Sequence, residues 1–482
     1  MAPLNAGNND EEMAAIQTPG ATKTPISASS TPAATAYTCS DKDDAEKRLV
    51  RKIDLYFMPI LFFMYILNYV DRTNIGNAKI AGMQRDLALT DDGYAWVVSI
   101  FFFGYLICEV PSNMLLTRSR PSIFLPAIML VWGILSALMA TSTTYGAMLG
   151  FRFVLGCIES GFYPGVLYLL SCWYTRKELG RRFAMFYTAA ALSGALGGII
   201  AGAITSHLDG AHGVAGWRWL FIIEGCATVG VAIIAFFVLL DYPATTQRLT
   251  EKEQFLATQR ILDDQNQGDA KLSHWQAFMA ALSDARTYLF VLLYMLVIGA
   301  STISYFVPTI TASLGFETVT AQYMTVPIWV VAAICLNLVA WSSDRLQERR
   351  WHTSGSLAVG FAACVICATV HNAVAKYIMV CLVTSAVVCA TVLSLTWTST
   401  VMDAPREKRA IVIALVNACG NFASVYGSRI WPQKDSPNYH LGFGVSAGFL
   451  GSAAVLTALM PIAFAGIQRR ARRRVAMAAP TS

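Results

Sequence analysis

A chain of 482 residues, 55% of them hydrophobic and only 14% charged, lies well outside the composition of soluble domains, in which roughly a quarter of residues are charged. Hydrophobic runs of spanning length recur along nearly the whole chain, which excludes a singly anchored protein and leaves an all-α polytopic membrane protein. The net charge of +6 is not a nucleic-acid signal, because the basic residues sit in short segments between the runs, where they set orientation.

Residues 1–48 are rich in Ser, Thr, Pro and Ala and then charged (DKDDAEKR), with no apolar stretch of the signal-peptide kind. They read as a disordered cytoplasmic tail. Twelve spans are expected after it, over 53–76, 94–116, 123–141, 145–172, 182–206 and 217–240, then 287–310, 322–342, 353–371, 375–401, 409–431 and 441–466. This divides the chain into a six-helix bundle over 49–240, a linker over 241–286, a second six-helix bundle over 287–466 and a basic tail over 467–482. Connections rich in Lys and Arg (Arg118, Arg120; Arg176, Lys177, Arg181, Arg182; Arg345, Arg349, Arg350; Arg406, Lys408, Arg409) alternate with poor ones. The positive-inside rule then places both termini in the cytoplasm, in agreement with an even span count.

Span 1 contains LYFMPILFFMYILNYVDRTNIGNA. The uncharged run Leu55–Val70 rises only about 24 Å as helix against a hydrocarbon core of about 30 Å, so the crossing must continue through Asp71 and Arg72 to about Asn74. The alternative is a helix that ends at Val70 with a solvated pair. Charged groups within a span usually face protein or a water-filled path. Tyr65, Asn68 and Arg72 are spaced by three and four and share a face, whereas Asp71 points about 100° away from Arg72. Asn68 and Tyr65 serve either helix–helix hydrogen bonding or substrate.

Span 2 (FFFGYLICEVPSNMLLTR) places Tyr105 in mid-membrane, with Glu109 and Asn113 toward its cytoplasmic end. Span 4 carries Arg152 and Glu159 seven residues apart on one face, and Tyr163 four beyond. A carboxyl at that depth beside a cation can gain and lose a proton within a transport cycle. The competing reading is a static Arg152–Glu159 pair that only holds helices together. Gly194, Gly198 and Gly202 of span 5 make a GxxxGxxxG face for close helix approach.

The linker holds two capping boxes, Thr250–Glu253 and Ser273–Gln276, and so two short helices, the second apolar enough to lie on the membrane surface. Span 7 supplies Ser304, Tyr305 and a kink at Pro308, and span 11 a stripe of Asn417, Asn421, Ser424 and Ser428 that bonds either a ligand or another helix. Of eleven cysteines, all but Cys39 lie in or beside hydrophobic runs; Cys364 and Cys367 form a CxxC on an apolar helix and read as small packing residues. The six histidines show no ligand spacing, so neither metal nor cofactor is expected.

The segments LNYVDRTNIGNA, GYLICEVPSN, GFRFVLGCIESGFYPG, WRWLFIIEG, SSDR and NACGN…WPQKDSPNYHLGF, spread over residues 50–466, resemble the major facilitator superfamily. Within it they are most similar to the anion:cation symporters of the fungal allantoate permease branch, which includes carriers of nicotinate, pantothenate and biotin precursors. The resemblance implies a twelve-helix fold of two six-helix halves. Arg72 would bind the substrate carboxylate and Asp71 and Glu159 would couple protons, with Arg152 beside Glu159. Tyr105 and Asn421 would line the pocket, with Asn68, Tyr305 and Asn417 as further polar candidates. The usual gate motif after span 2 is degenerate (LLTRSRPS), whereas Asp344 and Arg345 keep its counterpart after span 8. The span 5 motif of proton-driven drug antiporters is absent, replaced by GALGGIIAG.

The expected function is therefore proton-coupled uptake of a small organic anion by alternating access, by a monomer in the plasma membrane. The partners would be the anion, protons and the bilayer, with no nucleic acid. Export of an acidic metabolite and a non-transporting nutrient receptor are the alternatives. A membrane enzyme would need a nucleophile–base or ligand set near one face, and the sequence offers none.

Overall fold

The computed structural model describes residues 39–266, 273–402 and 406–478, and every regular element among them is helical. The described residues from Leu49 onward form one compact unit. Twelve helices among the described residues are long and apolar enough to cross a membrane: Asp44–Asp86, Asp91–Leu116, Pro121–Met139, Tyr145–Trp173, Met185–Leu208 and Gly216–Val238, then Ala285–Tyr305, Thr318–Leu346, Arg350–Thr369, Ala373–Val401, Glu407–Ile430 and His440–Ile467. These are spans 1 to 12, and they fall within a few residues of the expected bounds, apart from the longer first span. Most of the tail over 1–48 lies outside the described residues, but the first helix already begins at Cys39. At the other end the last helix runs through to Ala478.

Local chemistry sets the ends. The hydroxyls of Thr90 and Thr144 cap spans 2 and 4 by accepting the Gly93 and Ala147 N–H groups, and Asn372 caps span 10 through Ala375 N–H. Both linker capping boxes form, at the heads of Glu251–Asn266 and His274–Ser283. The second of these helices leaves Trp275, Phe278 and Met279 exposed. At the head of span 7, burial pushes the Asp284 carboxyl up, but Arg286 and Lys408 outweigh it and hold the group well below the ordinary carboxylate range.

Glycines set the closest packing. Gly194, Gly198 and Gly202 lie against Trp329, Thr325 and Tyr323, so the GxxxGxxxG face of span 5 receives span 8. Spans 3 and 6 meet backbone to backbone, where a Cβ on Gly225 would sit 2.6 Å from the Gly133 carbonyl oxygen. That approach brings the side chains of both helices onto span 1.

Span 4 is interrupted near its middle and span 7 near its far end. Span 4 is helical over Tyr145–Glu159 and again over Phe162–Trp173. Span 7 passes from α-helix into a 3-10 turn at Thr302–Tyr305 and resumes at Val307, with Pro308 in its first turn, where the missing N–H costs nothing. Irregular backbone at that depth is tolerated where it is enclosed by protein or lines a cavity.

Candidate functional site

Span 1 stays helical through Asp71 and Arg72 to Ala78, so both charges lie within the crossing. The two side chains have different surroundings. Arg72 turns toward Glu159, the last residue before the break in span 4, and its Nε donates to Glu159 Oε1. Asn68, one turn earlier, donates to the same oxygen at 2.7 Å. The guanidinium lies 4.9 Å from the Tyr105 ring centre and 5.3 Å from that of Phe101. Glu159 is fully buried. Its second oxygen, one Arg72 nitrogen and the Asn68 carbonyl oxygen have no hydrogen-bond partner among the described residues. The trio therefore has bonding capacity left over.

Arg72 forms part of the wall of a cavity of about 110 Å³ between the two sets of six spans. One water needs about 10–15 Å³ by this kind of measure, so there is room for several waters or a small solute. The wall carries the tyrosines Tyr65, Tyr69, Tyr105, Tyr163, Tyr187, Tyr294 and Tyr305, with Asn417, Asn421, Ser301, Ser304 and Ser424 from spans 7 and 11. Arg72 is the one charged residue among the described residues that line it. Asn68 and Glu159 are fully buried and are not among the described residues of this wall; Arg72 is the member of the trio that reaches it. Asn417 also reaches Glu109 on span 2. Ser428, the last residue of the span 11 stripe, does not reach the cavity; its hydroxyl lies 2.6 Å from that of Ser99.

Asp71 lies on the other side of span 1, away from the cavity. Its carboxylate accepts three hydrogen bonds, from Trp132 Nε1 at 3.1 Å, Ser136 at 3.0 Å and Thr228 at 3.0 Å. Glu224, one turn before Thr228, is buried beside it, and neither of its oxygens has a partner among the described residues. The sequence reading missed Glu224, although a lone carboxylate inside an apolar run is itself a signal.

Arg152 makes no ion pair with Glu159, which corrects the static-pair alternative, although its charge still acts on the Glu159 carboxyl through space. It is fully buried, its Nε donates to the Val97 carbonyl at 3.2 Å, and its guanidinium sits 5.0 Å from the Phe101 ring. Seven residues of helix rise about 10.5 Å, too far for the pair to close, while Arg72 arrives from the side. Asp344 and Arg345 stand outside the site: Asp344 pairs with Arg349 in the turn after span 8, and Arg345 lies over Trp341 at 5.4 Å. The side chains of Thr117 and Arg118, in the degenerate counterpart, are not among those described.

On the face away from the chain ends, spans 2, 7 and 11 close over the cavity. Tyr94 donates to the Tyr305 carbonyl at 3.2 Å, Ser99 to the Val425 carbonyl at 3.1 Å, and the Gln433 N–H to Asp91 at 2.9 Å.

Residues 61–428 match the family model described as Major Facilitator Superfamily. The chain is 34% identical to the MFS-type transporter cnsO of Penicillium expansum over 86% of its own length and 82% of that protein's. It is 30% identical to a putative tartrate transporter of Agrobacterium vitis, over 87% and 92%. Its fold superimposes on the xylose transporter XylE of E. coli, in a partially occluded inward-open conformation, with a TM-score of 0.65 at 13% identity, covering 84% of this chain and 97% of that one.

Proposed function

The chain belongs to the Major Facilitator Superfamily, and from that premise we propose that it is a proton-coupled carrier of a small organic anion, working in the direction of uptake. The observation that carries this reading is the shared Glu159 oxygen, on which Arg72 and Asn68 converge, with Arg72 itself in the wall of a cavity between the two sets of spans. A guanidinium binds a carboxylate through two parallel N–H bonds, a geometry that selects carboxylates over neutral solutes. While Glu159 is ionised, it occupies part of that fork. A proton on Glu159 weakens its hold, and the fork turns to the substrate carboxylate without adding net negative charge to the site. Release of the anion to the other side returns Arg72 to Glu159 and expels the proton. Proton and anion thus travel together because both act on one guanidinium.

The tyrosine-rich wall suits a solute whose remainder is flat or hydroxylated, since rings offer π faces and phenols offer hydrogen bonds. The relative named for tartrate fits a carboxylate cargo. Bundles 49–240 and 287–466 would be the units that rock about the site, in the plasma membrane of a monomeric carrier with both termini cytoplasmic. Tyr105, Tyr305, Asn417 and Asn421 would contact the cargo, and Asp344 and Arg345 would engage only when the cytoplasmic side closes.

The test is uptake by proteoliposomes of tartrate, nicotinate and allantoate, with and without an inward proton gradient. Gradient-dependent accumulation of at least one carboxylate is expected. Transport of a neutral sugar or a cation, with carboxylates failing to compete, overturns the reading.

A further inference from the structure

Beyond the closure formed by Tyr94, Tyr305 and their neighbours lies a wider cavity of about 650 Å³, on the face away from the chain ends. Its lining among the described residues includes two cations, Lys79 and Arg85, and no acidic residue, although Arg85 pairs with the adjacent Asp86 at 3.4 Å. Lys79 stands seven residues beyond Arg72, two turns along nearly the same stripe of span 1. It is 5% exposed and forms no ion pair among the described residues. Its ammonium instead meets two aromatic faces, at 4.4 Å from the Tyr94 ring centre and 5.6 Å from that of Phe306. The nearby carboxylate of Asp91 is already engaged, by Gln84 at 3.4 Å and by the Gln433 N–H at 2.9 Å. On the opposite wall Thr309 is buried, with a hydroxyl that has no hydrogen-bond partner among the described residues.

A largely desolvated ammonium that no carboxylate touches, with Asp91 acting on it only through space, is costly, and such groups inside a membrane protein mark ion and substrate paths. Here the two rings that hold it come from different halves, Tyr94 from span 2 and Phe306 from span 7, and Phe306 stacks on Trp431 of the segment after span 11. Tyr305, the neighbour of Phe306, lines the central cavity. Lys79 therefore touches the partition between the two cavities and bridges the two halves.

We infer that this vestibule is a second anion site, where Lys79 takes the carboxylate of the transported anion before it reaches Arg72. This rests on the carrier reading above. An arriving carboxylate exchanges the cation–π contacts of Lys79 for an ion pair, which removes one of the bonds holding Tyr94 against Phe306. Binding at the mouth thereby loosens the closure that bars the way inward. Arg72 and Lys79 become two rungs of one ladder along span 1.

The experiment places a cysteine at Ser313, a half-buried residue of the vestibule wall, in the full-length protein, with the unsubstituted chain as background. Its rates of reaction with sulfonatoethyl methanethiosulfonate (anionic) and trimethylammonium-ethyl methanethiosulfonate (cationic) are compared. A positive cleft concentrates anions by about tenfold or more, so the anionic reagent should be favoured, and Lys79→Gln should remove most of that preference. Lys79→Arg should keep it. Tartrate or nicotinate, but not equimolar chloride, should protect the cysteine. In proteoliposomes, Lys79→Gln should raise the apparent KM for the carboxylate about tenfold from this face and leave it unchanged from the other. Equal reagent preference in Lys79→Gln and the parent overturns the inference, as does a Lys79→Arg variant that behaves like Lys79→Gln. If no carboxylate is carried at all, the carrier reading fails on its own, and the reagent ratio still decides whether the vestibule collects anions.

Discussion

Two neighbouring residues of span 1 divide the molecule's polar interior into unlike regions. On the cavity side, Arg72, Glu159 and Asn68 share a single carboxylate oxygen and leave other polar atoms without partners. On the far side, Asp71 takes three donors from spans 3 and 6, and its own oxygens are satisfied. An under-satisfied cluster beside a cavity can exchange partners at little cost. The satisfied Asp71 carboxylate resists change, because each broken bond leaves a buried group unpaired; Glu224 beside it, with neither oxygen bonded among the described residues, does not share that restraint. The difference teaches that charge in a membrane span does not by itself identify the moving proton. On the proposed reading, partner count and access to the cavity are what separate an exchanging site at Glu159 from a holding one at Asp71.

The comparison breaks most severely if Arg72 can be replaced. Arg72→Lys keeps the charge and loses the fork, and a charge-assisted bond is worth ~1.5–3 kcal/mol, so kcat/KM for uptake should fall roughly tenfold to a hundredfold. The thermal unfolding midpoint of the purified protein should move little. Near-normal uptake by Arg72→Lys would mean that the cargo is not held by a bidentate carboxylate contact.

Asp71→Ala should do the reverse. Three buried donors lose their acceptor, at ~1–3 kcal/mol for a group left unpaired, so the unfolding midpoint should drop clearly. Cargo affinity in whatever protein remains folded should change little. Unchanged stability together with lost proton coupling would transfer the exchanging role to Asp71. Thr228→Val removes one of the three bonds and should cost about 1 kcal/mol, measured as the same midpoint shift with transport intact.

The smallest effect calibrates both regions against a carboxylate outside the spans. Asp284 has its folded pKa held below the unfolded value by Arg286 and Lys408, so its stabilisation is present above the unfolded value and is lost as pH falls through the folded one. The unfolding midpoint should be insensitive to this group between pH 5 and 8, within the range above the usual aspartate pKa of about 3.9, and should fall only below that value. Asp284→Asn should lower the midpoint at pH 7 and flatten the acid limb. An unaltered acid limb in that variant would show that the pair contributes nothing.

Much of this organisation is legible in the sequence. Hydropathy places the spans, and the three-and-four spacing puts Asn68 and Arg72 together and turns Asp71 away. What escapes it is the choice of partner between helices. Arg152 and Glu159 share a face, yet two turns of rise keep them apart, and the cation that reaches Glu159 comes from another span. The tyrosine wall is hidden for a related reason: in helices apolar nearly all round, periodicity does not reveal which side looks into a cavity. Tyr69, Tyr187 and Tyr294 carry no mark in the sequence that separates them from packing residues. Glu224 and Lys79 do carry one, as single charges inside or at the end of long apolar runs.

The exchange of partners at Arg72 is tested most directly by Glu159→Gln, which fixes the neutral form of the side chain in a site where the glutamine fits. The account predicts a folded protein at normal surface level that still exchanges internal for external carboxylate and no longer accumulates it along an inward proton gradient. A well-folded Glu159→Gln protein that still accumulates the carboxylate under that gradient would contradict the account and remove Glu159 from the coupling step.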